Sequence, residues 1–382
     1  SMRKLLKRTV KLAVEVGLVD FALQAIDGSR IGSASRESLK RRAAVERLLA
    51  ETETQIAAME ASVQREEQEG EPSIAPSKGV HSREEVRERL RRALSELDRM
   101  EGKEPDPQAG VEREHSRREE PTVSVSDPEA VVLRGRQGHI VGYNAQAVVD
   151  GRAQIIVAAD VAPCTSDARQ LVPMLAEAQQ MTGREAAMIV ADGGYHSASN
   201  VAAMEERLVE FFAPDPQLRR KSDAPGKWAF HKDNFTYDAS RDVLICPQGQ
   251  ILVFSHTLHR NHGRVKESRV YHCGSCRQCP AWGKGGCTQD KLGRCVTLFG
   301  HEEILQKHRS KMDSELAKQV SKRRKAIVEP VFGMIKEQLG CTRFLVRGLG
   351  KVLAEWHLTC SAYNLLKIWR LWWRPRALAL TG

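Results

Sequence analysis

Three acidic residues stand in settings that suit divalent-metal chemistry. Asp27 follows the apolar run Phe21-Ala22-Leu23-Gln24-Ala25-Ile26 and precedes Gly28; Asp192 follows Ala187 to Ala191 (AMIVA) and precedes Gly193. Each reads as a short buried strand that delivers a carboxylate at its end. The glycine then lets the backbone turn and a large ligand approach. Side by side in one sheet, two ionised carboxylates repel unless a cation sits between them, and magnesium, which takes oxygen ligands, suits such a place. A single Asp-Gly is usually an ordinary turn; the repetition is what carries the reading. The third acid is Glu329, in the stretch Lys322 to Lys336 (KRRKAIVEPVFGMIK). Ile327, Val331 and Ile335 share a helical face there, and Glu329 and Lys336 lie two turns apart. Pro330 is expected to kink that helix or start a new one. A Glu among apolar residues needs a partner, and Lys322, Arg323, Arg324, Lys325 and Lys336 around it suit a site that meets phosphate. The plainer alternative is a helix with a solvated charged face. Asp160, after Ile155 to Ala159, and Asp127 are competing acids.

Six of the nine cysteines fall within residues 216–300. Cys276 and Cys279 form a C-x2-C knuckle, while Cys246 before Pro247-Gln248-Gly249 and Cys287 after Gly285-Gly286 supply two more thiolates for a tetrahedral zinc. Cys273, Cys295 and His272 keep the choice of ligands open, and reduced free cysteines in a loop are the alternative. Cys164, Cys341 and Cys360 read as packing residues. Without a secretory leader, this cysteine usage points to a reducing compartment, where clusters bind metal more often than they form disulfides.

The elements that must position these groups can be read from the pattern. A short amphipathic helix is expected over 3–19, then the strand that ends at Asp27. Residues 37–68 and 82–101 carry apolar residues at helical spacing around the turn at 70–80 (Pro72, Pro76, Gly79), which predicts an antiparallel helical pair. Residues 102–122, rich in Glu, Arg and Pro, read as a linker. Strands are expected over 140–149 and 154–161 around the Asp150-Gly151 turn, and a helix running to Met181 with Leu171, Met174, Leu175 and Ala178 inward. The strand before Asp192, a helix near 198–207 and a strand near 208–213 follow. Helices close the chain at 301–339 and 351–370, the latter with Leu353, Trp356, Leu358, Leu365 and Trp369 as its buried stripe. In the tail, Trp369, Trp372 and Trp373 are expected to pack rather than stack on a ligand.

Composition narrows the partners. The chain has 382 residues, with Lys and Arg exceeding Asp and Glu by 59 to 49, a net charge of +10. Each such cation near a phosphate releases a condensed counterion, so the balance favours a polyanion. No run of eighteen apolar residues occurs, so no membrane partner is expected.

The stretches AIDGSRIGSAS, GYNAQAVVD, QIIVAADV, LVPMLAEA, IVADGGYHS, RKAIVEPVFGMIK and RFLVRGLGKVLAEWHLTCSAYNLLK resemble the insertion-sequence transposases with a DDE catalytic domain. The resemblance implies an α/β, RNase H-like mixed sheet flanked by helices. Its segments would be 1–34, 123–215 and 301–382, with a helical-hairpin insertion and linker at 35–122 and a Cys-rich, zinc ribbon-like insertion at 216–300. It implies catalytic and Mg2+ (or Mn2+) ligating roles for Asp27, Asp192 and Glu329, two metals per site. Nicking of transposon ends, their joining to target DNA, a homodimer and a place in the cytoplasm at the nucleoid follow from it. Lys322, Arg323, Arg324, Lys325, Lys336 and Tyr195 are the DNA-contacting residues expected. The family's Tyr-Arg-Glu-Lys signature falls here on Lys322, Lys325, Glu329 and Lys336, so the Tyr and Arg are both Lys. Similar insertions carry a Cys cluster, which favours Cys246, Cys276, Cys279 and Cys287 as zinc ligands. Basic residues of that segment (His231, Lys232, Arg260, Arg264, Lys266) suit a DNA backbone or a solvated loop equally. Relatives often carry an N-terminal DNA-end-binding helical domain, whereas twenty-six residues precede Asp27 here. The competing functions are a nuclease that does not join strands and a non-catalytic DNA-binding remnant.

Overall fold

The computed structural model describes residues 1–34, 39–68, 77–101, 120–135, 138–216, 229–238, 240–259, 267–283, 286–299 and 302–381. Most of the linker expected at 102–122, the turn between the paired helices, and Arg260, Arg264 and Lys266 lie outside them. Among the described residues no helix is long and apolar enough to cross a membrane. The strands are β1 (Leu23–Gly32), β2 (Leu39–Lys40), β3 (Val123–Ser124), β4 (Val131–Gly135), β5 (Gly138–Asp150), β6 (Ile155–Ala162), β7 (Met188–Val190), β8 (Glu210–Phe212), β9 (Thr236–Asp238), β10 (Val243–Ile245), β11 (Ile251–His259), β12 (Glu267–His272) and β13 (Cys295–Phe299). The helices used below are α1 (Met2–Glu15), α2 (Arg42–Gln68), α3 (Ser77–Glu101), α4 (Leu171–Thr182), α5 (Ala198–Glu206), α6 (Glu302–Met312), α7 (Glu315–Gly333) and α8 (Leu349–Ile368).

The fold is mixed α/β. Its main sheet has six strands, with β5 and β7 on the two sides of β1. The long β5 pairs antiparallel with β1, β4 and β6. Its residues from Val141 to Asp150 are all buried, since helices cover both of its faces, and the polar Asn144, Gln146 and Asp150 among them are hydrogen-bonded. Helices α1, α4 and α8 pack together over β6, while α7 crosses β1, β7 and β8. Trp356 of α8, fully buried, stacks on Phe332 of α7 with 6.4 Å between ring centroids. The outer edge of β6 is closed by side chains rather than a strand. Asn364 accepts from the Ile156 N–H at 2.9 Å and donates to the Ile156 carbonyl at 2.8 Å, and His357 donates to the Ala159 carbonyl at 3.0 Å, so the edge offers no free ladder.

Two smaller cores sit apart from this one. Helices α2 and α3 pack on each other and on β3 through Val45, Leu90, Ala93, Leu97 and Val123. Strands β9 to β13 form an antiparallel sheet whose core is Phe235, Leu244, Leu252, Tyr271, Cys273, Cys276 and Val296.

Four expectations need correction. Asp27-Gly28 is not a strand end: β1 continues to Gly32. Pro330 does not start a new helix, since α7 runs through it to Gly333 before a π-turn at Met334–Gln338. The carbonyl that its missing N–H leaves free, Ala326 O, accepts instead from Gln154 Nε2 at 2.8 Å. The buried stripe of α8 is Val352, Trp356, Cys360, Tyr363, Asn364 and Ile368, whereas Leu358, Leu365 and Trp369 are 45%, 46% and 44% exposed. In the tail only Trp372 packs on the core, and Trp373 is also exposed.

Candidate carboxylate site

The sheet explains how two distant carboxylates meet. Parallel pairing of β1 with β7 covers only Leu23 to Ala25 against Met188 to Val190. Beyond that point β7 stops, and β1 runs on with one edge unpaired. Asp27 lies on this free stretch, opposite Ala147 of β5. Asp192 lies two residues past β7, where the chain turns through Gly193–Tyr195, and its carboxylate caps the turn by accepting from the Gly194 N–H at 2.8 Å. The two carboxylates feel each other. Burial, partly offset by Arg324 and reinforced by Asp192, pushes Asp27 up to about 6. Burial also raises Asp192, and the neighbouring Asp167 raises it further. Two desolvated carboxylates this close disfavour each other's charge.

In the structure the cation beside Asp27 is a guanidinium. Arg324 of α7 donates from Nη1 to Asp27 Oδ2 at 2.8 Å, with side chains 16% and 22% exposed. An Arg expected to meet DNA therefore meets the carboxylate. Glu329, on the same helix, is exposed. Five residues past Arg324, it points roughly 140° away around the axis. The structure brings Asp27 and Asp192 together and leaves Glu329 on the outer face of α7 with the exposed Lys322 and Lys325. Arg323 is exposed as well, and Lys336 is half-buried in the π-turn.

The third carboxylate beside the pair is one that sequence reasoning missed. Asp167 Oδ1 accepts from Asn144 Nδ2 at 2.7 Å and Gln146 Nε2 at 2.8 Å. Gln146 in turn accepts from the Tyr195 hydroxyl, and its backbone carbonyl accepts from Trp356 Nε1 at 3.0 Å. This buried chain ties β5, the start of α4 and the Asp192 turn together beneath the carboxylates. Gly28 is obligatory in it: a Cβ there would collide with Gln146 Nε2 and lie 2.7 Å from Asn144 Oδ1 and 2.9 Å from Asp167 Oδ1. The glycine is thus a packing requirement rather than a turn signal. Tyr195 is fully buried, so it cannot meet DNA as expected; its hydroxyl is spent on Gln146. The neighbouring His196 packs at 5.5 Å from His308, its Nε2 buried without a partner, and burial lowers its pKa to about 4.

The competing acids are placed elsewhere. Asp127 is buried and accepts from the Tyr143 hydroxyl at 2.8 Å, the Gly348 N–H at 3.0 Å and the Ser33 hydroxyl. Asp160 accepts from the Val161 N–H, and its charged neighbours are His357 and Glu177.

In the antiparallel sheet, Cys246, Cys273, Cys276, Cys279 and Cys287 lie within electrostatic reach of one another. Burial, with Cys273 and Cys287 nearby, pushes Cys276 up to about 11, and burial with Cys246, Cys279 and Cys273 raises Cys287. Backbone N–H groups already point at these sulfurs: Gln248 and Gln250 to Cys246 at 3.4 and 3.3 Å, Arg294 to Cys276 at 3.2 Å. Cys295 is exposed and its charged neighbours are Arg294 and Asp290, while His272 bonds the Leu292 carbonyl. Among the described residues no group of three or more His, Cys, Asp or Glu side chains is closed to metal-holding geometry, and this holds for the thiols and the carboxylates alike.

Comparison with known families bears on the C-terminal third of the chain. Residues 245–369 match the family model of the transposase DDE domain. That stretch is similar to the DDE domain of transposases. It contains α7 with Arg324 and Glu329, and the four cysteines Cys246, Cys276, Cys279 and Cys287, and it bears out the resemblance read from the sequence. Asp27 and Asp192 lie outside the matched residues and join the DDE domain through the Arg324–Asp27 contact. No curated protein matches the chain.

Proposed function

We propose that this protein is a DNA transposase with an RNase H-like core, which uses Asp27, Asp192 and Glu329 to cut transposon ends and join them to a target. The observation that carries the reading is the meeting of Asp27 and Asp192 at the open edge of β1, with the DDE-domain helix α7 laid directly on Asp27. Their oxygens are the hard donors that Mg2+ or Mn2+ takes. Such a cation would polarise the phosphodiester and lower the pKa of the attacking hydroxyl or water. The chain's own parts do the rest. The Asp167–Gln146–Tyr195 chain holds the Asp192 turn at a fixed distance from β1. The exposed Lys322, Arg323 and Lys325 give α7 a basic face for phosphates, where such contacts position the strand rather than read its sequence. Glu329 shares that face, so it would join the pair only through a turn of α7 of roughly 140° about its axis on DNA binding, as Arg324 withdraws. We further propose a structural zinc on Cys246, Cys276, Cys279 and Cys287, which the crowding of these thiols supports, and a homodimer on duplex DNA.

The test is strand transfer by the full chain with precut duplex ends and Mn2+. Joined products abolished by Asp192→Asn and by Glu329→Gln support the reading. Nicking without joining turns it into a nuclease, and neither product with any divalent cation sinks it.

A further inference from the structure

We propose a second DNA-backbone site, in the groove between the α2–α3 hairpin and the loop at residues 341–348. The inference rests on the reading that the chain acts on DNA, and adds a place where duplex outside the reacting phosphate is held. The groove encloses about 650 Å³, and Arg83 and Arg89 of α3 face Arg343 and Arg347 of the loop across it, with Glu51 of α2 the one carboxylate among its lining residues. Four guanidinium groups therefore line a cleft with a single opposing charge. Among the described residues none of the four makes an ion pair. Planar guanidinium groups match phosphate oxygens two at a time.

Preorganisation of the loop is the second argument. Its backbone is fastened at four points: the Phe344 N–H to the Gly32 carbonyl at 2.9 Å, the Leu345 N–H to Glu355 at 3.0 Å, the Gly348 N–H to Asp127 at 3.0 Å and the Leu349 N–H to Glu129 at 2.6 Å. Asp127 and Glu129, which fasten it, are themselves held between β3 and β4. Carboxylates thus secure the loop's backbone from below while its two arginine side chains are left for the groove. A loop fixed this way loses little conformational entropy when it binds.

The third argument is registration with the carboxylates. Gly32, which the loop pairs with, ends the same strand that carries Asp27. Five residues of strand span about 17 Å. At about 3.4 Å per nucleotide along one strand, the groove falls roughly five nucleotides from the phosphate at Asp27. One rigid strand therefore sets the spacing between the two contacts, and duplex DNA, the substrate of the proposed activity, has phosphates at both.

The experiment measures binding of the full chain to a labelled 30-base-pair duplex by fluorescence anisotropy across a salt series. The double variant Arg343→Ala/Arg347→Ala is expected to bind about 10- to 100-fold more weakly at low salt, with a slope against log salt reduced by about two. Arg83→Ala/Arg89→Ala, on the opposite wall, should do the same, which guards against one loop variant that merely misfolds. The thermal melt, and Mn2+ affinity measured by paramagnetic quenching, should stay unchanged in both pairs. Wild-type affinity and slope in both pairs overturn the groove alone. A wild-type chain with no affinity for duplex DNA overturns the transposase reading as well. Tighter binding of duplex RNA than duplex DNA, lost in the same variants, also overturns the proposal, since the site would then serve another polymer.

Discussion

The carboxylate pair and the thiol cluster are built in opposite ways. Asp27 and Asp192 sit on a sheet with a continuous core running from Leu6 to Ile368, and the fold holds them whether or not a cation arrives. The cysteines sit on an antiparallel sheet whose core is seven residues and whose strand residues Tyr237, Ile251, Val253 and Phe254 are exposed. Two of the seven core residues are cysteines, Cys273 and Cys276. In the first region packing positions the carboxylates; in the second the proposed zinc would supply what packing lacks, because so small a core seldom stabilises a sheet alone.

The comparison breaks if the carboxylates prove structural. Asp27→Asn or Asp192→Asn should lower metal-dependent nicking by about a thousandfold while the melting temperature holds or rises, because each change removes a buried charge. A melt that collapses with activity would make the first region resemble the second. Next in size is metal removal. A strong zinc chelator, or Cys279→Ser, should melt the β9–β13 sheet as a separate early transition by circular dichroism, with the β1–β8 sheet intact; Cys295→Ser should change nothing. A single unaltered transition would refute a metal staple there. A smaller effect is expected at the support layer. Tyr195→Phe leaves Gln146 Oε1 buried without its donor, at a cost of about 1–3 kcal/mol, and should weaken Mn2+ binding about tenfold. Equal loss of stability with unchanged Mn2+ affinity would make that layer merely structural.

The smallest effect concerns acid. His196 has its pKa lowered to about 4 from 6.5 by burial, with Asp215, His308 and Arg309 as its charged neighbours. A depressed folded pKa means the neutral form is the one the fold accepts. Its contribution is full above about 6.5 and is lost as pH falls toward about 4. His196→Phe should therefore flatten the acid limb of a stability–pH curve in that window, and leave it unchanged above pH 7.

Much of the first region was legible in the sequence, for physical reasons that also mark where legibility ends. The runs before Asp27 and Asp192 are apolar because their strands are buried on both faces, so both strands were legible, although β1 continues past Asp27 to Gly32. The Leu171, Met174, Leu175 and Ala178 stripe appeared in α4 as expected. What failed depended on register across strands. Gly28 looked like a turn residue because only the pairing of Gly28 with Gln146 shows that there is no room for a Cβ. Asp167 escaped notice, since nothing local reveals that it sits beside Asp192. Tyr195 next to an acid looked like a ligand-facing ring, but a turn of three residues points it inward. In α8 the apolar residues outnumber the buried positions, so spacing alone chose the wrong stripe, and Leu358 and Leu365 are left in solvent. The Arg324 contact could not be foreseen, because α7 lies nearly three hundred residues from Asp27 in sequence.

The Arg324–Asp27 ion pair has a thermodynamic consequence. On the proposed metal role of Asp27, a divalent ion and this guanidinium would compete for the same oxygen, so whatever draws Arg324 away would sharpen the apparent affinity for metal by the same factor. Polyphosphate backbone is the strongest rival that an arginine meets. Nucleic acid and metal would then load together rather than in turn, and a chain without its substrate would hold its own catalyst in reserve.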